Sequence, residues 1–440
     1  MVRVRPRMLV LALAGASVAA AGVLVPATAQ APRLRFTRPV TAIPAPLGNG
    51  QANTGEPRLV VLPSGRLLLT AQFEQWNCAT RQPDSHLSLC VWASDDGGRS
   101  FHVSGGDTEA GDDADFATAP GGAILQLAMS DPAIGPVNLG TGVGGTNVFR
   151  SSDGGRTWIE TQLANKTVLN DRPFFAATPT ADLISFTAIP GNIQVIRSTD
   201  AGRTWSAPIR VSPQPDSDVI EGNGGPAYDA SSRSILLPYD SSTDPSCTSG
   251  PAGCLNVLWL ATSHDEGTSW STQKIAQLPS GTGLTSMPQV TVDNRGSRYL
   301  TYCAKSGSHY DVYLATQAKG GKWSIPRPIN GQASAMVPWA VAAGNGHVDV
   351  AYYRTAAADA GTSTRTWDFV VSDSRNAGRT WATTVVGPDA YIGSGDNHAA
   401  SVWDLEAITY DRSGHLVVAW SDDRDRAGNP SVIRFARAVG

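Results

Sequence analysis

Ser151-Ser152-Asp153-Gly154-Gly155-Arg156-Thr157-Trp158 decides the fold, because the chain repeats it. Ser198-Thr199-Asp200-Ala201-Gly202-Arg203-Thr204-Trp205 and Ser263-His264-Asp265-Glu266-Gly267-Thr268-Ser269-Trp270 keep the same residue types at the same spacing. Ser94 to Phe101 and Ser374 to Trp381, with Asn376 in place of Asp, are weaker copies, and Thr316 to Trp323 is a degenerate one. The residue types suit a tight turn. Ser and Asp side chains accept backbone N–H groups, Gly supplies positive φ, and Trp covers apolar surface beside the hairpin. Such a turn marks an architecture rather than an activity.

A second repeat lies upstream of these turns. Pro57 and Gly65 are separated by the same interval as Pro288 and Gly296, and as Pro338 and Gly346; Pro173 and Ala181 match with Ala for Gly. Between them run short β-rich stretches such as Arg58 to Leu62 and Gln289 to Val292, followed by others such as Arg66 to Thr70 and Arg298 to Tyr302. Looser units begin near Asp113, Gly225 and Glu406. Seven units of roughly sixty residues fit four-stranded propeller blades. The last unit has no box and ends on a strand, Ser431 to Ala436. Phe36-Thr37-Arg38-Pro39-Val40 reads like the stretches after the boxes, Trp205 to Ile209 and Trp323 to Pro326. The sequence therefore predicts an all-β propeller of seven blades whose N-terminal strand completes the last blade. Six blades is the alternative, should the second unit be an insertion.

Composition agrees with that class. Of 440 residues, 41% are hydrophobic and 16% charged, with 45 Gly and 29 Pro, which argues against a helical protein. A formal charge of −4 without a clustered basic face excludes a nucleic-acid partner. Arg3, Arg5 and Arg7 precede an apolar run from Met8 to Val25, and Ala27-Thr28-Ala29 offers a small-residue cleavage site. The expected organisation is an export leader, residues 1–29, and a single propeller domain, residues 30–440, secreted and free of the membrane after cleavage. Five Cys suit an oxidising compartment: Cys78 with Cys90 and Cys247 with Cys254 are the economical pairings, leaving Cys303 over. Neither pair has zinc-ligand spacing, and no cofactor is indicated.

The S-x-D-x-G-x-T-W repeat is the Asp box, and through it the chain resembles the sialidase-like (neuraminidase) superfamily of propeller proteins over most of its length. Sialidases use an arginine triad on the substrate carboxylate, a Tyr nucleophile paired with Glu, and an Asp acid/base. Asp84 matches the acid/base position and Glu221 the Glu that activates the nucleophile. The other positions depart from the family. Gly55 stands where the first Arg belongs, with Arg58 a shifted substitute. In Leu67 to Trp76, Trp76 replaces an Arg, and in Ser401 to Leu405, Val402 or Trp403 replaces the Tyr. Without a guanidinium clamp a sialic-acid carboxylate would lose its hydration uncompensated, so exo-sialidase activity is not expected.

Strand parity places the candidate site. The box joins the third and fourth strands of a blade, so the starts of first strands share the opposite face with the long loops between second and third strands. Loops on one rim of a rigid scaffold are where binding residues concentrate. That rim gathers Glu56, Arg58, Asp171, Arg172, Glu221, Trp339, Trp403 and Asp404 from strand starts, and Glu74, Trp76 and Asp84 from a loop. Carboxylates bind hydroxyls and Trp faces stack on sugar rings, so an acidic, Trp-containing funnel points to an extracellular glycan or polysaccharide. Asp84 and Glu221 are the candidate catalytic pair of a divergent glycoside hydrolase; the alternative is a non-catalytic glycan- or protein-binding propeller, and a monomer is expected in either case. Lyase chemistry would need a base such as Tyr353 or His398. Two acid-rich stretches, Asp107 to Asp115 and Asp422 to Asp425, lack the spacing of a calcium loop.

Protein recovered from the culture medium is expected to begin at Gln30, read by intact mass; a secreted chain retaining Met8 to Val25 would contradict the leader.

Overall fold

The second strand of each unit shows why the repeats must assemble. Asp182–Ala188, Ser234–Ser241 and Leu416–Asp422 are buried at every position, so both faces of these strands are covered. An isolated hairpin sheet has two open faces; only stacking against neighbouring sheets buries both. The computed structural model describes residues 33–44, 54–73, 76–77, 82–83, 88–105, 110–130, 146–161, 170–188, 191–213, 221–244, 247, 254–279, 281–357, 365–393, 406–424 and 431–439. Among them there is no helix.

Seven small antiparallel sheets form a ring of seven blades. Blade 1 runs Thr54–Val61, Leu67–Phe73, Ser88–Ser94 and His102–Gly105. Blade 2 runs Ala110–Thr118, Ile124–Ser130, Thr146–Ser151 and Ile159–Thr161, and blade 3 Asn170–Ala177, Asp182–Ala188, Asn192–Ser198 and Ile209–Arg210. Blade 4 opens with Gly222–Asn223 and Ala227–Asp229, then Ser234–Ser241, Val257–Ser263 and Ser271–Gln277. Blade 5 opens with Thr282–Leu284 and Gln289–Val292, then Arg298–Ser306, His309–Gln317 and Arg327–Pro328. Blade 6 has Ser334–Gly344, His347–Thr355, Arg365–Ser374 and Ala382–Gly393. First strands lie innermost: Gly225 and Gln289, from blades 4 and 5, even form a parallel bridge.

Blade 7 closes the ring as the sequence predicts. Ala407–Tyr410, Leu416–Asp422 and Val432–Val439 supply three strands, and the N-terminal Arg35–Phe36 and Val40–Ile43 pair with the last of them. The second unit is a blade, not an insertion, which removes the six-blade alternative. Cys247 and Cys254 form a disulfide in the loop after the second strand of blade 4. Cys90 is disulfide-bonded to a partner outside the described residues, and Cys303 is a buried free thiol.

Each Asp box does two jobs. In blade 2, Ser151 Oγ accepts the N–H of Gly155 at 2.9 Å, while Asp153 Oδ1 accepts those of Arg156 and Thr157 at 3.0 and 2.9 Å. The Thr157 side chain and backbone donate to Asp153, holding its carboxyl well below the usual range. The same bonds recur around Asp96, Asp200 and Asp265, and Asn376 reproduces part of them. The degenerate copy in blade 5 keeps only a backbone turn, Gly321 N–H to Ala318 O at 2.8 Å.

The second job belongs to the glycine. A Cβ on Gly155 would lie 2.6 Å from Leu68 of blade 1, and one on Gly202 would lie 2.4 Å from Leu125 of blade 2. Gly267 meets Leu183 of blade 3 in the same way, Gly378 meets Leu314 of blade 5, and Gly98 meets Phe435 of blade 7. Every box therefore presses bare backbone onto the preceding blade. Blades 5 and 7 lack a box and use polar contacts instead: Arg298 Nη2 to Asp229 Oδ2 of blade 4 at 2.8 Å, and Tyr410 Oη to Asp349 Oδ2 of blade 6 at 2.6 Å.

Gly202→Ala is expected to lose about 2–4 kcal/mol, combining a positive φ with forced repacking at Leu125. Urea unfolding measures it; a loss under about 0.5 kcal/mol, the size of an ordinary surface change, would mean the glycine contact is incidental.

Candidate functional site

The inner strands begin with a repeated bulge. Glu56, Asp113, Arg172 and Val337 all have φ between 40° and 55°, and in each blade the register slips at that point. Three of the four precede a proline: Pro57, Pro173 and Pro338. Left-handed backbone at a bulky residue is strained and persists only where surrounding contacts hold it.

Side chains from four blades meet on the axis. Arg58 of blade 1 donates to Asp115 Oδ1 of blade 2 through Nε at 3.0 Å and Nη2 at 2.7 Å. Asp115 Oδ2 accepts the N–H of Phe175 in blade 3 at 2.9 Å. The Arg58 guanidinium lies 4.4 Å from the ring centre of Trp339, which crosses from blade 6 and packs 5.7 Å from Phe174. Gly225 of blade 4 leaves room for the same indole, since a Cβ there would sit 2.7 Å from it. Trp339 is thus buried among residues of blades 1, 3 and 4, and Arg58 is engaged by a carboxylate and an aromatic face.

A group of acids lies on the neighbouring strands of blades 2, 3 and 4. Arg172 N–H donates to Asp113 Oδ2 at 3.0 Å, and Asn223 Nδ2 donates to Arg172 O at 2.7 Å. Asp113 and Asp115, part of the acid-rich stretch, thus tie blade 2 to blades 1 and 3. Gly222 pairs with Asp240 across the strands, and its bare Cα lets two charged groups converge: a Cβ there would lie 2.2 Å from Asp240 Oδ1 and 3.0 Å from Arg172 Nη1. Glu221 immediately precedes this glycine and is half-buried, its main-chain carbonyl accepting from Thr187 Oγ1 at 3.1 Å. Burial pushes the Asp240 carboxyl up to about 7; the Arg172 charge opposes the rise, and the Glu221 charge reinforces it. Two acids and one arginine therefore share the mouth with the buried acid holding its proton near neutrality.

A second acid lies between blades 6 and 7. Tyr353 Oη is 2.5 Å from Glu406 Oε1 and 2.7 Å from Ser421 O, and Tyr353 and Glu406 are fully buried. One phenol hydrogen cannot serve two acceptors. Burial pushes Glu406 well above the usual carboxylate range, against the pull of Tyr353 and Ser421, so its own proton can go to the phenol oxygen while the phenol donates to Ser421 O. The pair staples the two blades and is closed to the funnel, which takes Tyr353 out of contact with a polymer in this conformation.

Of the residues expected at the site, Arg58 meets Trp339, while Arg172 lies beside Asp171 and shares Asp240 with Glu221. Glu56 and Trp339 are buried, while Asp171 is the more open neighbour of Arg172. Glu74, Asp84, Trp403 and Asp404 lie outside the described residues, as does His398; Trp76 is described only as backbone, in a short strand paired with Gln82–Pro83. Asp240 is the residue the sequence reading did not single out; Asp113 and Asp115 enter it only as part of an acid-rich stretch. The signal for Asp240 was available: Gly222 directly after Glu221 marks a close approach, and Asp240 is the penultimate residue of the second strand of the same blade.

The family model described as a BNR repeat-like domain matches residues 190–427, more than half of the chain, and the protein belongs to that family. No curated protein sequence matches it. Among solved structures it is similar to the Penicillium chrysogenum alpha-L-arabinanase complexed with arabinobiose, at 14% identity over 91% of this chain and 98% of that one, TM-score 0.52. It is also similar to the Fusarium graminearum alpha-L-arabinofuranosidase in complex with arabinobiose, at 15% identity over 91% and 97%, TM-score 0.52. An ulvan lyase, a polysaccharide lyase bound to -[GlcA(1-4)Rha3S]-, gives 12% identity over 90% and 98%, TM-score 0.55. At such identities the likeness establishes the propeller fold.

The buried acid has a linkage consequence. A carboxyl raised to about 7 in the folded chain contributes stability below its unfolded pKa of about 4, and that contribution is lost as pH rises through 7. Asp240→Asn is therefore expected to compare better with the wild type at pH 8 than at pH 5 in urea unfolding; an equal stability difference at both pH values would show that Asp240 does not titrate in this window.

Proposed function

We propose that the protein is an exported glycoside hydrolase that acts on an extracellular glycan at the rim bearing Arg172, Glu221 and Asp240. The observation that carries this reading is the convergence of a half-buried carboxylate, an arginine and a buried acid whose pKa burial raises to about 7. Glycosidic cleavage needs a proton donor at the leaving oxygen and a carboxylate that acts as base or nucleophile on the other side of the bond. Glu221 takes the second role. Asp84, at the family's acid/base position in the sequence, takes the first. Asp240 is a positioning residue: with its pKa raised by burial it adds less negative charge beside Glu221 than an ordinary carboxylate would. Arg172, with Asp171 at 3.8 Å, binds sugar hydroxyls or an acidic sugar. Arabinose-containing and uronate-containing glycans suit this mixture, and they are the sugars bound by the structurally similar enzymes.

An exo-sialidase role fits less well. Arg58, the shifted substitute for a triad arginine, has its guanidinium on Asp115 and Trp339 rather than open to a ligand. The rival reading is a binding module on the same rim.

The test is hydrolysis by the purified mature protein of arabinan, neutral glycosides, uronate polysaccharides and sialosides. Glu221→Gln and Asp84→Asn are each expected to lower kcat about 100-fold or more with the fold retained. Asp240→Asn is expected to shift the pH profile of kcat/KM while sparing much of the rate. Activity untouched by Glu221→Gln would remove the proposed site, and no cleavage of any substrate with saturable glycan binding would replace the hydrolase by the binding module.

A further inference from the structure

The seam between blades 6 and 7 has no Asp box to clamp it, and on the box side of the ring it holds a different device. Asp349 and Asp373 are direct cross-strand partners in blade 6, and both are almost wholly buried. Two carboxylates placed opposite one another on one face of a sheet repel, so something positive has to lie between them. His347, two residues before Asp349 and on the same face, brings its Nε2 to 2.9 Å from Asp349 Oδ2 and 2.9 Å from Asp373 Oδ2. A single ring N–H is shared between the two oxygens, and Arg375 Nε lies 2.9 Å from Asp373 Oδ2. Asp349 Oδ1 is buried with no hydrogen-bond partner at all.

The spacing suits a metal ion. Two bonds of about 2.1 Å at right angles have ends about 3.0 Å apart, which is the separation of neighbouring donors in a six-coordinate shell. All three donor atoms lie within 4.8 Å of one another. An outer layer already orients them: Tyr410 of blade 7 donates to Asp349 Oδ2 at 2.6 Å, and Arg375 Nε donates to Asp373 Oδ1 at 3.1 Å. Such partners fix ligand geometry in metal sites. His347 and Asp349 line a cavity of about 740 Å³, whose walls also carry Arg33, Arg35 and Arg375.

We propose that His347, Asp349 and Asp373 bind a divalent metal ion of the manganese–zinc class, with its remaining coordination positions open to this cavity. One imidazole with two carboxylates is a donor set for such ions rather than for calcium or copper. The ion neutralises the facing carboxylates and, through Asp349 and Tyr410, joins blade 6 to blade 7 where other seams have a glycine contact. Binding at Nε2 places the ring proton on Nδ1. The half-exposed Arg375, whose Nη1 is 3.2 Å from Nδ1, then turns into the cavity, where the three arginines suit an anionic ligand on the ion.

The test is calorimetric titration of the chelator-stripped mature protein with Zn²⁺ and with Mn²⁺, alongside the visible spectrum with Co²⁺ as a probe. The expected result is one ion per chain, Co²⁺ bands of an N/O site, and a rise in Tm on saturation. His347→Gln, which keeps a side chain of similar reach, is expected to weaken binding at least 10-fold, the scale of a lost ligand. Wild-type protein that takes up no stoichiometric Zn²⁺, Mn²⁺ or Co²⁺ would overturn the proposal and leave a histidine-bridged ion cluster. Binding unchanged in His347→Gln would overturn it too, by placing the ion elsewhere. Neither outcome bears on the opposite rim, so the hydrolase reading stands or falls separately.

Discussion

The close approach of blades is the constraint on which the molecule depends. A blade cannot bury its own faces, so each must come near enough to its neighbour to exclude water from two sheets at once. The box achieves this by spending Ser, Asp and backbone amides on the turn itself, so that the outward surface of the turn is a bare glycine. Leu68, Leu125, Leu183, Leu314 and Phe435 then fill the space a Cβ would take. The charged part of the box needs no partner elsewhere, because its carboxylate is satisfied by the amides of its own turn. Where the box is missing, in blades 5 and 7, the seam carries Arg298 with Asp229 and Tyr410 with Asp349, groups that bond across blades instead of filling space.

That scaffold explains why the functional rim can hold strained and mispaired groups. The left-handed Glu56, Asp113 and Arg172 open their first strands, and the ring closed by Arg35–Phe36 and Val40–Ile43 keeps those strands from relaxing outward. Trp339 reaching across to Arg58 shows how narrow the axis is: a residue from blade 6 touches blades 1, 3 and 4.

Much of the fold was legible because its determinants are local. Ser151 to Trp158 bonds within itself, so its copies look alike wherever they occur, and the match of Phe36 to Val40 with the stretches after the boxes announced ring closure. The site was less legible because its determinants are not local. Glu221 stood out through family likeness, but Asp240 matters through Gly222, which is adjacent only in space, and nothing in sequence distinguishes a buried acid from a solvated one. Trp339 read as a free sugar platform because its contacts come from three other blades. Arg58 read as a ligand-binding cation until Asp115, from the next blade, accounted for its charge.

The central claim is that, of the neighbouring acids Glu221 and Asp240, Asp240 is the one whose pKa is raised, by burial and by the Glu221 charge. Carbon-13 NMR of aspartate side-chain carboxyls, assigned with Asp240→Asn, measures it directly. The account predicts that Asp240 titrates near 7 and moves to lower pH in Glu221→Gln, since the charge that raises it is gone. An Asp240 signal titrating near 4 in both proteins would contradict it.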